Sequence, residues 1–135
     1  MQAFVVGEKN GTWGRAQPVR GLAARNTGRN AQIVSVSCTT AGNCSAGGDY
    51  SGRGSGVFVV SQKNGAWGTA TPVPGLNRLG GDILLQSLSC ASAGNCSAGG
   101  EYDVGGCCSE LAFVASEQHG RWGRAQPVRG LGRLG

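Results

Sequence analysis

Apolar residues along this chain come in short runs or in strict alternation, and never at helical spacing. Ala3-Phe4-Val5-Val6 and Val57-Phe58-Val59-Val60 are runs of four, and Leu111-Ala112-Phe113-Val114 extends through Ala115 to five. Each is followed by a tight polar pair and a tryptophan: Asn10-Gly11-Thr12-Trp13, Asn64-Gly65-Ala66-Trp67 and His119-Gly120-Arg121-Trp122. An apolar run, an Asn-Gly pair and a second short run predict a β-hairpin. Asn-Gly suits a type I′ turn, whose two central residues both need positive φ. His119 stands where the other copies have asparagine, which makes it a turn residue. Ile33-Val34-Ser35-Val36-Ser37-Cys38 alternates apolar and polar, the signature of a half-buried strand. Thr39 to Asn43 read as its turn, and Cys44 to Tyr50 as the returning strand. Pro18 has no N–H for a ladder, so its strand belongs at a sheet edge or a frayed end.

The pattern repeats. Ala41-Gly42-Asn43-Cys44-Ser45-Ala46-Gly47-Gly48 returns unchanged as Ala93 to Gly100, 52 residues on. The Phe and Trp positions of the other hairpin recur at spacings of 54 and 55. Three Phe/Trp hairpins alternate with two Cys hairpins, giving about ten strands. Four short strands every ~50 residues is the arithmetic of a propeller blade. The expectation is an all-β fold of about two and a half four-stranded propeller-type blades, an open or partial propeller. Its divisions are a half blade at 1–30, a blade at 31–81 and a blade at 82–135. The Ser-Ala-Gly-Gly strand is expected toward the axis, with the aromatics between blades. Two exposed faces are expected to remain, at the first hairpin's edge and around Phe113 and Trp122. An open arc of this kind would self-associate or need further blades of the same protein.

These residues resemble known repeats. Ser61 to Trp67 and Ser116 to Trp122, as Ser-x-x-x-Gly-x-Trp, resemble the Asp-box turn of sialidase-type propellers. Lys63 or Gln118 replaces the aspartate, and Trp comes one position early. Val-Ser-Cys-x5-Cys-Ser-Ala-Gly-Gly followed by Asn-Gly-x-Trp is similar to cysteine-paired propeller-like repeats in uncharacterised secreted proteins of actinobacteria. That resemblance spans nearly the whole chain. It implies architecture and an extracellular setting, and carries no general activity.

Composition narrows the chemistry. Among 135 residues there are 26 glycines, with 6% aromatic and 14% charged side chains. Turns and small-residue packing therefore dominate, and no apolar run approaches the ~20 residues of a membrane-spanning helix. The first residues lack the basic and apolar regions of a signal peptide. Six cysteines nevertheless fit an oxidising compartment. A secreted protein of which this chain is a piece reconciles the two.

Cys38 with Cys44, and Cys90 with Cys96, flank turns and can face one another across a hairpin, within disulfide reach. Zinc is the rival reading, although Cys-x5-Cys lacks the knuckle spacing; free buried thiols are a third. Cys107 and Cys108 interrupt a link without a counterpart in the other copy. They could form a vicinal or intermolecular bridge or stay as free thiols. Asn10, Asn43 and Asn95 formally match glycosylation sequons, but turn chemistry accounts for all three.

The net charge of +5 rests on ten arginines and two lysines. Gly-Arg-Ala-Gln-Pro-Val-Arg-Gly-Leu occurs at 14–22 and again at 123–131. Arg15, Arg20, Arg124 and Arg129 could thus meet an acidic glycan or cell-wall polymer, or simply protect solvated edges. No Ser/His/Asp or Cys/His arrangement assembles, and no metal or other cofactor is implied. Tyr50 and Tyr102, like Asp49 and Glu101, occupy equivalent repeat positions, which fits structure better than a unique active site. The expectation is a non-catalytic, extracellular binding or structural scaffold. The alternatives are a fragment of a glycan hydrolase with its catalytic residues elsewhere, and a polyanion-binding module. No specific nucleic acid and no membrane span are expected.

Overall fold

The first unit of the chain holds four two-residue strands: β1 (Phe4–Val5), β2 (Glu8–Lys9), β3 (Thr12–Trp13) and β4 (Gln17–Pro18). The second holds β5 (Asn30–Thr40), β6 (Asn43–Ser51), β7 (Ser55–Lys63), β8 (Ala66–Trp67), β9 (Thr71–Pro72) and a 3-10 turn at Leu76–Arg78. The third repeats this as β10 (Ile83–Ser92), β11 (Asn95–Asp103), β12 (Glu110–Gln118), β13 (Arg121–Trp122), β14 (Gln126–Pro127) and a 3-10 turn at Leu131–Arg133. This computed structural model describes residues 1–25, 30–52, 54–105 and 110–133. Cys107 and Cys108 lie outside the described residues.

The chain is all-β and its sheet pairings are antiparallel, apart from one isolated parallel bridge between Arg20 and Thr69. Two five-stranded sheets run β5-β6-β7-β8 and β10-β11-β12-β13, with β9 also on β7 and β14 also on β12. The four strands expected per repeat become five because the returning Trp strand breaks in two. Gly68 N–H still bonds Ser61 O at 2.9 Å between the two pieces, and each piece pairs its own part of β7. The first unit builds the same outer half: β1 pairs β4 and β2 pairs β3.

The Ser-Ala-Gly-Gly strand is an interior strand of its sheet, flanked by β5 and β7. The margin belongs to the alternating strands β5 and β10. Their pairing with β6 and β11 shifts register between Ile33 and Ser35 and between Leu85 and Ser87. This bulge explains the last glycine of the repeated phrase. A Cβ on Gly48 would lie 1.8 Å from Gln32 O, and one on Gly100 would lie 2.1 Å from Leu84 O. Only glycine fits against a carbonyl that the bulge pushes inward.

Alternation in β5 does mark a half-buried strand, but the serines face inward. Val34, Val36 and Cys38 are exposed, whereas Ser35 and Ser37 are half-buried. The serines bind the neighbouring sheet's edge. Ser35 Oγ accepts from Leu88 N–H at 3.1 Å and donates to Leu88 O at 3.2 Å. Ser37 Oγ accepts from Cys90 N–H at 3.1 Å. Leu85 and Leu88, both buried, lie over Gly47. Side-chain hydroxyls thus satisfy edge amides that no strand pairs, as buried backbone groups require.

The apolar residues divide into two clusters. One gathers Val57, Val59, Ile83, Leu85, Leu88 and Phe113 between the sheets. The other gathers Val5, Val19, Leu22, Ala46, Phe58 and Val60 between the first unit and the first sheet. Phe113, expected on an exposed face, is therefore 1% exposed, since it packs back toward the preceding sheet. Exposed apolar side chains concentrate instead on Phe4, Trp13 and Val36, with Leu84, Val104 and Val114 in the last unit.

Candidate functional site

Each Cys hairpin tip docks on the type I′ turn of the Phe/Trp hairpin in its own sheet. Asn64 and Gly65 take φ of 48° and 84°, and His119 and Gly120 take 51° and 80°. That conformation points consecutive amides at the tip. Gly65 N–H donates to Gly42 O at 2.9 Å, and Asn64 N–H to Asn43 Oδ1 at 3.2 Å. Gly120 N–H donates to Gly94 O at 2.9 Å, and His119 N–H to Asn95 Oδ1 at 3.3 Å. His119 is a turn residue in the structure. Asn43 and Asn95 spend both ends of their amides here: their Nδ2 groups bond Thr40 Oγ1 and Ser92 Oγ.

Cys38 faces Cys44 and Cys90 faces Cys96 in register, and both pairs are disulfides, with Cα atoms 3.9 Å apart. The zinc and free-thiol alternatives for these four are set aside. The bridges fit an oxidising environment. Among the described residues no three His, Cys, Asp or Glu side chains converge as a metal site would need, and no helix is long and apolar enough to cross a membrane.

Between the two sheets runs a groove of about 680 Å³, walled by Trp67 and Lys63 on one side and by Glu117, His119 and Trp122 on the other. Glu117 is 6% exposed and its Oε1 has no hydrogen-bond partner. Burial raises its pKa above the ordinary glutamate value; the Lys63 charge and a bond from Trp122 pull the other way. The indole Nε1 of Trp67 is buried and equally without a partner. An unmet acceptor and an unmet donor thus lie buried in two residues that wall the same groove.

Glu117 is the only carboxylate lining that groove among the described residues. Asp49, the other buried acid, is committed elsewhere. Its Oδ2 accepts from Leu85 N–H at 3.2 Å and its Oδ1 from Gln32 Nε2 at 3.1 Å. Burial raises its pKa, with those two bonds opposing.

Neither protein-family models nor curated proteins give a match to this chain. Its chemistry must be read from its own residues. Arg15, Arg20, Arg124 and Arg129 are all exposed, on or beside the outermost short strands of the first and third units. None of them lines the groove, so any polyanion they meet lies on the outer edges. Sequence reasoning passed over Glu117. It occupies the repeat position of Glu8 and Gln62, and Gln62 merely bonds its own turn, to Gly65 O at 3.3 Å. The sequence offers no signal for it, since Glu8 holds the same position beside Trp13 and is exposed.

Proposed function

We propose that this chain is a non-catalytic repeat segment of the β-propeller type, stapled by disulfides and acting outside the cell as a binding or structural scaffold. The observation that carries this reading is the interlock of hairpin tip and type I′ turn, built twice from the same residues. Cys38, Cys44, Cys90 and Cys96, the side chains of Asn43 and Asn95 and the backbone amide of His119 are all taken up in repeating structure. A propeller-type assembly also accounts for the meander order of each sheet and for the apolar cluster packed between the sheets. Its partners would be further repeats of the same kind, with the exposed arginine edges as a secondary surface for acidic polymers.

A hydrolase reading needs two carboxylates about 5 to 9.5 Å apart across a scissile bond, and the groove offers Glu117 alone. Incubation with a panel of soluble and insoluble polysaccharides is expected to release no reducing ends. Release that disappears in Glu117→Gln would refute the scaffold reading.

A further inference from the structure

Among the described residues the first unit forms only a β1-β4 and a β2-β3 pair, with no Cys hairpin on them, and the two complete units show what such a hairpin covers. Phe58 and Phe113, at 0% and 1% exposure, have the equivalent residue Phe4 at 61%. The pairing residue of Phe113 is Gly100, on which a Cβ would lie 2.7 Å from the ring; the hairpin strand lies directly on the aromatic. On the facing strand, Leu88 at 4% has the equivalent residue Val36 at 59%. Leu88 is covered because it sits against Gly47 of the preceding hairpin.

Two further features agree. Among the described strands β1 pairs β4 alone, whereas β7 and β12 also pair a Ser-Ala-Gly-Gly strand. Asn10 and Gly11 adopt φ of 52° and 79°, the conformation that receives a hairpin tip in the other units. Here Gly11 N–H turns to Glu8 Oε1 within its own turn. Between these walls runs a groove of about 540 Å³, bounded by Phe4, Val6 and Trp13 on one side and Ile33, Val36 and Cys38 on the other.

We infer that this groove is a receptor for one β-hairpin of stated chemistry: a disulfide-closed Ser-Cys-x5-Cys-Ser-Ala-Gly-Gly hairpin like residues 30–51 and 82–103. The inference rests on the repeat-scaffold reading and names its partner. The incoming Ala-Gly-Gly strand adds to β1, the strand-addition mode of recognition. Its second glycine lies opposite Phe4, as Gly48 lies opposite Phe58, and its first glycine receives Val36. The Ser-x-Ser ahead of its first cysteine accepts from Val36 and Cys38 N–H, as Ser35 and Ser37 accept from Leu88 and Cys90. Its tip accepts from the Asn10-Gly11 turn. An apolar intruder could fill the groove, but only a strand with this glycine and serine pattern satisfies both walls.

The test titrates the full chain with the oxidised peptide of residues 82–103, following amide shifts by NMR. Saturable binding is expected, with shifts confined to residues 4–13 and 33–38. Phe4→Asp and Val36→Asp should each weaken it by about tenfold or more, from lost apolar burial, while Val114→Asp on the far sheet should leave it unchanged. A lone hairpin is marginally ordered, so the same segment is also joined ahead of Met1 through a Ser-Gly link. That form should melt higher and shift Trp13 emission to the blue. Absence of both peptide binding and the fusion effect overturns the inference, as does binding indifferent to Phe4→Asp and Val36→Asp. Dimerisation abolished by Phe4→Asp, with no gain from the hairpin, overturns it in favour of a second copy. Failure of the scaffold reading would show instead as catalytic turnover, with the hairpin titration intact.

Discussion

A methyl group distinguishes Gly47 from Gly99, the first glycines of the two Gly-Gly pairs. On Gly47 it would sit 2.7 Å from Leu85 Cδ2 and 3.1 Å from Leu88 Cδ1; on Gly99 the nearest atom is 3.7 Å away. Gly47→Ala should therefore cost about 1–3 kcal/mol by overpacking. Gly99→Ala should be neutral or stabilise by about 0.4–1 kcal/mol, through the reduced freedom of the unfolded chain. Urea melts of the two variants check this, and equal effects would remove Gly47's role as a socket. Glu117 offers a pH test at the same scale. Its folded pKa is raised, so between the ordinary glutamate value and the folded value the native state holds more protons than the unfolded one. Stability is then expected to fall as pH rises through that window. Glu117→Gln should flatten this slope and gain stability at neutral pH, since an amide can donate to the turn as Gln62 does. Urea midpoints across weakly acidic to neutral pH measure both effects.

At the scale of elements, each disulfide closes a hairpin with a sequence separation of 6. So small a loop constrains the unfolded chain weakly, and replacing Cys38 and Cys44 together by Ala should cost about 2 kcal/mol. Thiol titration of the folded, oxidised protein should find those four cysteines unreactive; free reactivity at any of them would contradict the bridges. The hairpins, the type I′ turns and the cross-strand cysteines were legible in the sequence because each rests on local chemistry. Asn-Gly pairs demand positive φ, and alternation demands a strand. What the sequence did not reveal depends on neighbours. Ser35 and Ser37 face inward because β10 brings its unpaired amides to them, and Phe113 is buried because it packs toward the preceding sheet and beneath Gly100 of its own. Gly47 serves the close approach of the next sheet's Leu85 and Leu88, whereas Gly48 answers a bulge in its own partner strand. Glu117 stayed hidden because its importance comes from an unmet bond, which no spacing records.

Across the whole molecule, positive charge sits on the outer edges of the first and third units, with Thr69 and Pro74 between them in the second. Retention on a heparin-like resin is expected to be weak, salt-sensitive and lost when Arg15, Arg20, Arg124 and Arg129 are replaced together by Ala. Unchanged retention would reduce them to solvated surface. The joint between the sheets has a different reach. Its donating side, the Leu88 and Cys90 amides, and its accepting side, Ser35 and Ser37, lie 53 residues apart. Ser87 and Ser89 stand at the serine positions of the next sheet, exposed. Any in-frame copying of the stretch from 30 to 81 would therefore carry the lock and its key on one piece of gene. The array can grow by duplication with no new contact to be invented, and the near-identity of its phrases is what such growth leaves behind.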